Sequence, residues 1–395
     1  MITVPPVDRS ALVATRRDIH QHPELGFEET RTAALAADRL RSLGYQVTTG
    51  VGRTGVVALR NGRAGGGARC VLLRADMDAL PVEEANAVPY RSQHPGKMHA
   101  CGHDGHVAIG LEVARRLAAL DLPGSVKFAF QPAEEASNGA QAMIVDGVLE
   151  APTVSAAFGI HLWNELPVGT IAVTPGPFMA SVDQFEITIH GRGGHAAAPH
   201  QAIDSVLVAA HVVTALQSLI ARRRDPFEEA VVSVTEVHAG RAFNVIPARA
   251  DLRGTVRTFG GRFYQQAPQL IEETARGIAA AFGARADVQY RRLSAPLIND
   301  RQLSDLVRDV AADLVGTNNV RAGVRTMGGE DMAYFLEKVP GCFAFVGSAP
   351  SSGSAPPAPP APPASPHHSP TFDIDEESLV IGAELLTRTA VRYLS

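Results

Sequence analysis

The stretch SVKFAFQPAEE, Ser125 to Glu135, reads as a short apolar strand that stops at Pro132 and hands the chain to two adjacent glutamates. Its neighbours repeat that theme on both sides. Upstream, VVALR (56–60) and CVLLRADMDAL (70–80) have the apolar runs of strands, and residues 103–120 have the spacing of a helix. Downstream, GAQAMIVDGVLE (139–150) predicts a helix and VSAAFGIHL (154–162) another strand. Residues 8–43 predict a helix broken by HPELGFEET (22–30) and stopped at Gly44, with Arg41 in its last turn. Buried strands alternating with amphipathic helices are the mark of an α/β domain with a mostly parallel central sheet, and in such sheets sites form where strands end.

From residue 182 the rhythm changes. DQFEITIHG predicts a strand, 201–222 a long helix, AVVSVTEVHA and ARADLRGTVRTF two strands, 261–282 a helix and ADVQYRRL a strand. That β-α-β-β-α-β order is ferredoxin-like, an α+β unit of its own. After 294 the α/β character returns through a helix (301–315), the strand CFAFVG and a final helix (376–393). The expected organisation is therefore a catalytic domain built from 1–181 and 294–395, with an inserted domain at 182–293. Between 348 and 366 runs SAPSSGSAPPAPPAPPASP, whose eight prolines favour an extended surface loop.

At 395 residues two domains are the default, and 45% hydrophobic residues make the chain globular. A net charge of −5 gives no basic field for nucleic acid, so a small-molecule substrate is expected. Three cysteines, at 70, 101 and 342, do not form a disulfide framework and point to a reducing compartment. No signal peptide is evident in MITVPPVDRS, and VLVAAHVVTALQSLI is too short for a membrane span, so a cytoplasmic location with no membrane partner is expected.

The chemistry concentrates in HACGHDGH, His99 to His106. Cys101 and His103 can face one centre if the chain is extended or turning there. Further candidates sit at predicted strand ends: Glu134 and Glu135, His161, and the pair His367-His368. Adjacent glutamates at a strand end are expected to point in opposed directions, one ligating metal and the other facing substrate. Thiolate, imidazole and carboxylate together suit zinc, manganese or cobalt, and their number suits two ions better than one.

In this order, HACGHDGH, QPAEE, GIHLW, GRGGHAAAPH, FNVIP, RGTVRTF, MGGEDMAYF and HHSPTFDIDE resemble the dinuclear-metal amidohydrolases that include hippurate hydrolases, N-acyl-amino-acid aminoacylases and auxin-conjugate hydrolases. The resemblance runs from about Arg17 to the C-terminus. It implies Cys101, His103, Glu135, His161 and His368 as ligands of two divalent ions per subunit (Zn, Mn or Co), and Glu134 as general base. The family pattern selects His368 over His367, because the ligand stands two residues before the proline. Asp76 occupies the place that a ligand histidine takes in more distant relatives, and Asp78 is expected to orient a histidine. His195 and Asn244, on the inserted domain, are implied as oxyanion donors, and that domain as a lid that dimerises, giving a homodimer or dimer-based tetramer.

The implied reaction is hydrolysis of the amide bond of N-acyl amino acids. A metallopeptidase acting on free-amine peptides and a non-catalytic metal-binding protein are the alternatives. GRGGHA lacks the spacing of a nucleotide fingerprint, and a serine hydrolase is unsupported because no G-x-S-x-G element occurs.

Overall fold

Strands that bury both faces carry mostly apolar residues and must pair the few polar ones they keep, and two segments do so. Cys70–Asp76 and Ser125–Gln131 are buried along their whole length in the computed structural model, which describes residues 4–63, 69–136, 138–350 and 365–395. Most of the proline-rich run, 351–364, lies outside the described residues.

The chain begins α1 (Arg9–Gln21), α2 (Thr30–Ser42), β1 (Gln46–Val51), β2 (Gly55–Arg60), β3 (Cys70–Asp76), α3 (His103–Ala118), β4 (Ser125–Gln131), α4 (Gly139–Val145), β5 (Ala156–Pro167), β6 (Ile171–Ala172) and β7 (Gly176–Met179). It continues through β8 (Val182–His190), β9 (Gly194–His195), α5 (Ser205–Ser218), β10 (Ala230–Ala239), β11 (Val245–Ile246), β12 (Arg249–Thr258), α6 (Gly261–Ala281) and β13 (Arg285–Ser294). It ends with β14 (Leu297–Asn299), α7 (Arg301–Val315), β15 (Val320–Arg321), α8 (Met332–Lys338), β16 (Gly341–Ala349) and α9 (Glu377–Leu394). Two compact units result: 1–176 with 298–325 and 331–395, and 177–297 with 326–330. The stretch 294–395 is thus not all of one unit, since Thr326–Glu330 goes with the second, where the Ala180 N–H donates to the Thr326 carbonyl at 3.2 Å.

In the first unit eight strands lie in the order β1-β2-β4-β3-β5-β16-β6-β15. The centre, β4-β3-β5-β16, is parallel, while β1, β2 and β6 join antiparallel. Helices α3 and α9 pack on each other and on β3 and β5. Strand β1 has no counterpart in the sequence reading because five of its six residues are exposed or half-exposed and carry no apolar run. Helix α4 is shorter than GAQAMIVDGVLE suggests. It ends in a glycine cap: Gly147 takes φ +82° while its N–H donates to Ile144 O at 3.0 Å and Val148 N–H to Met143 O at 3.1 Å.

In the second unit β10-β12-β8-β13 form an antiparallel sheet, and α5 and α6 cover one face in the ferredoxin-like arrangement. Strand β8 alternates buried and half-buried residues, with Phe185, Ile187 and Ile189 in the core. Gly254 leaves room for Phe185, whose ring would stand 2.2 Å from a Cβ there. Pro268 lies inside α6 and cannot donate to Tyr264 O; Arg292 Nη2 donates to that carbonyl instead, at 2.8 Å. The apolar helix from Ser205 continues through a π-type turn to Arg223. At 19 residues it is long and apolar enough, by length and composition, to cross a bilayer, which corrects the sequence reading of a shorter segment. Val208, Ala209, Val212, Leu216 and Leu219 place one side of it in the core of this unit.

Candidate metal centre

Gly102, at φ +96°, caps α3 in a left-handed conformation and turns the chain between Cys101 and His103. The turn brings both side chains to one point with His161, their ligand atoms all within 4.8 Å of one another. His161 is not at a strand end. Strand β5 runs on to Pro167, six residues further, because Trp163 and its neighbours still pair with β16.

Backbone carbonyls orient two of the histidine rings. His103 Nδ1 donates to the Asp78 carbonyl at 2.9 Å and His161 Nδ1 donates to the Leu162 carbonyl at 2.8 Å, so on both rings Nε2 is the nitrogen left to meet a metal. The Asp78 carboxylate lies 3.3 Å from His103 Nδ1 and accepts the Glu135 N–H at 2.9 Å, which ties two ligand-bearing segments to one residue.

Glu134 and Glu135 do not point in opposed directions. Their carboxylates form one group with His103, and Glu135 also joins Cys101 and His368, each group spanning no more than 4.8 Å. The strand has already ended at Gln131 and Ala133 has φ +49°, so the alternation of an extended chain does not apply. The neighbouring histidines divide. His368, at φ +65°, brings Nε2 to 3.3 Å from Glu135 Oε1, whereas the His367 ring packs tilted against Trp163 (4.6 Å) and Phe372 (5.1 Å).

Two atoms test the fit to a cation. His103 Nε2 and Glu135 Oε1 are buried and, among the described residues, have no hydrogen-bond partner. Leaving such groups unmade costs about 1–3 kcal/mol each, so a buried imidazole nitrogen and a carboxylate oxygen converging beside a cysteine and two more histidines fit a divalent metal.

Behind the candidate ligands lies a network with little local signal in the sequence. Asp76 accepts from His106 Nδ1 at 2.6 Å and from Arg74 at 2.5 Å, and His106 Nε2 accepts the Leu162 N–H at 2.9 Å. Gln131 and Arg74 both reach Asp331, at 2.6 and 3.3 Å. Burial alone would raise the Asp76 carboxyl, but Arg74 and the two histidines hold it well below the usual range.

His195 and Asn244 belong to the second unit, the other six predicted residues to the first. Strands β9 and β11 pair His195 with Val245, and the Ala196 N–H donates to the Asn244 carbonyl at 3.0 Å. His195 Nδ1 accepts from the Ala197 N–H at 3.0 Å, which leaves Nε2–H on an exposed ring as a donor.

Residues 72–392 match the model of peptidase family M20/M25/M40. The chain belongs to that family. It is 40% identical over 390 residues to the N-acetylcysteine deacetylase of Bacillus subtilis (strain 168), a match covering 97% of each chain. It is 36% identical over 388 residues to thermostable carboxypeptidase 2 of Saccharolobus solfataricus, covering 97% of this chain and 95% of that one. Its structure is similar to that of a Bacillus subtilis protein described as a dinuclear metal-binding peptidase of the M20 family, with TM-score 0.84, 36% identity and 98% of each chain covered.

A second charged cluster underlies helix α3 of this M20-family chain. Asp104, next to His103, accepts from Arg16 Nε and from His20 Nδ1, each at 2.8 Å, and His20 Nε2 lies 3.2 Å from Glu84. Burial opposes charge on His20, yet Asp104 and Glu84 outweigh it and raise its pKa. Burial likewise works against the Asp104 carboxylate, and Arg16 and His20 overcome it, holding the carboxyl far below the ordinary range.

Proposed function

We propose that this M20-family hydrolase cleaves the amide bond of N-acyl amino acids at a pair of divalent ions, releasing a carboxylic acid and a free amino acid. The observation that carries the reading is the convergence of His103 Nε2 and Glu135 Oε1, both without a hydrogen-bond partner among the described residues, beside the carboxylate of Glu134. Its likeness to an N-acetylcysteine deacetylase supports an acylated amino acid as substrate.

Cys101, His103, Glu135, His161 and His368 would hold the ions; zinc, manganese and cobalt all suit this donor set. Such ions supply Lewis acidity and lower the pKa of water from 15.7 to about 7. Glu134 takes the proton of the attacking water and delivers it to the departing amine. His195 Nε2–H and the Asn244 amide are the donors for the oxyanion of the tetrahedral intermediate.

A panel of N-acetyl amino acids, N-acetylcysteine and hippurate against unblocked dipeptides tests this directly. The acylated compounds are expected to be hydrolysed and the free-amine dipeptides left intact. The likeness to a carboxypeptidase favours a second reading, and turnover of peptides without turnover of acyl amino acids establishes it.

We further propose that the second unit is a lid that dimerises, with His195 serving the partner's site. Strand β10 is an edge of its sheet and its last five residues are exposed, so two copies can pair edge to edge about a two-fold axis. Glu134→Gln subunits have a dead base and a sound lid; His195→Ala subunits have the reverse. Random re-pairing of equal amounts is expected to recover about a quarter of wild-type sites, because half the dimers are mixed and each holds one complete site. No gain after verified subunit exchange rejects the shared site.

A further inference from the structure

The segment that interrupts the first helical run, HPELGFEET, has no part in the chemistry derived so far. It delivers Glu29 to the N-terminus of α2, fully buried, yet its side chain does not cap that helix. Oε1 instead accepts two backbone N–H groups, from Phe27 at 2.9 Å and from Ala133 at 2.8 Å, and the Thr54 hydroxyl donates to Oε2. One carboxylate thus joins three loops. The third of them is the turn that carries Glu134 and Glu135.

We propose that Glu29 is a positioning residue for Glu134 and Glu135, holding through the Ala133 N–H the left-handed turn from which both side chains project. Alanine disfavours φ +49°, so something must hold it there. Packing closes the turn from two sides: a Cβ on Gly26 would stand 3.1 Å from Ala133 Cα, and one on Gly55 2.9 Å from Pro132 Cδ. The downstream side is tied by Asp78 to the Glu135 N–H and by the Gly139 N–H to the Ala133 carbonyl, at 2.9 and 3.3 Å. The Ala133 N–H is the remaining handle, and Glu29 takes it. With that bond gone, Ala133 can relax toward negative φ and carry the base and the ligand off their common point.

The bonding pattern makes glutamine an isosteric probe. Its Oε1 can accept from both Phe27 and Ala133 while its amide NH₂ donates to the Thr54 oxygen, so every link survives without the charge. Alanine removes all of them. Aspartate keeps the charge but withdraws it by one methylene.

The proposal rests on the reading of Glu134 as base and Glu135 as ligand, and the test separates the two. Wild-type, E29Q, E29A and E29D full-length proteins are loaded with cobalt(II) and their visible absorption recorded, then kcat and KM are measured on N-acetyl amino acids. E29A is expected to shift the cobalt bands and to lose about 10²-fold in kcat with KM changed less than about threefold, the cost of a misplaced group rather than of lost substrate contacts. E29Q is expected to restore the wild-type spectrum and to bring kcat back within about fivefold. Should E29A fail to fold, E29D decides, with the same spectral shift expected. A folded E29A or E29D with the wild-type spectrum and kcat overturns the proposal, as does E29Q impaired as severely as E29A. If wild-type protein turns over no N-acyl amino acid, the functional reading fails, while the cobalt spectra still judge Glu29.

Discussion

Replacing Glu134 by glutamine is expected to leave metal content unchanged and to lower kcat by about 10² to 10⁴. Glutamine matches glutamate in size, so the turn and its tether at Ala133 stay as they are. What disappears is the ability to take a proton from water and return it to the leaving amine. The group formed by Cys101, Glu135 and His368 does not include Glu134, so those ligands remain for the ions. Metal analysis and steady-state kinetics on the same preparation check both halves; near-normal kcat at full metal content places the base elsewhere.

Chelation is expected to abolish activity, and zinc, manganese or cobalt to restore it, with Cys101→Ala lowering the metal content. The affinity should also depend on pH, with a definite sign. In the metal-free protein burial and Glu135 push the Cys101 thiol up, and the neighbouring Cys101 and Glu135 side chains push His368 up to about 10. Both therefore carry protons at neutral pH that a metal must displace. Apparent affinity falls as pH falls and rises with alkalinity, which a competitive chelator titration at several pH values measures. Metal-free protein that still hydrolyses its substrate removes the metal from the mechanism.

The sequence displayed the fold wherever burial left a periodic mark. Strands β3 and β4 bury every residue and read as mostly apolar runs interrupted by Arg74 and Lys127, and β8 alternates in and out and reads with a period of two. Strand β1, mostly exposed, left no such mark. The site was legible to the extent that its side chains lie close in sequence, as Cys101 and His103 do. It was illegible where backbone conformation decides direction: an alanine at φ +49° is spelled like any other alanine, so the joint aim of Glu134 and Glu135 was hidden. Distance hid the rest, since Arg74 meets Asp331 across 257 residues.

The cluster around Asp104 bears on the order in which the molecule can be completed. Arg16 grips Asp104 with one nitrogen, and with another it reaches Asp373, at 2.8 Å and 357 residues away. The residue beside His103 therefore has its charge balanced by a helix from the start of the chain, which is itself anchored by a loop from near the end. The second unit draws nearly all its residues from one continuous segment, 177–297, and has what it needs soon after that segment is made. A nascent chain, growing at roughly 5–20 residues per second, can fold its insert first. It must then wait for the closing loop before the helix that begins at His103 is clamped from below.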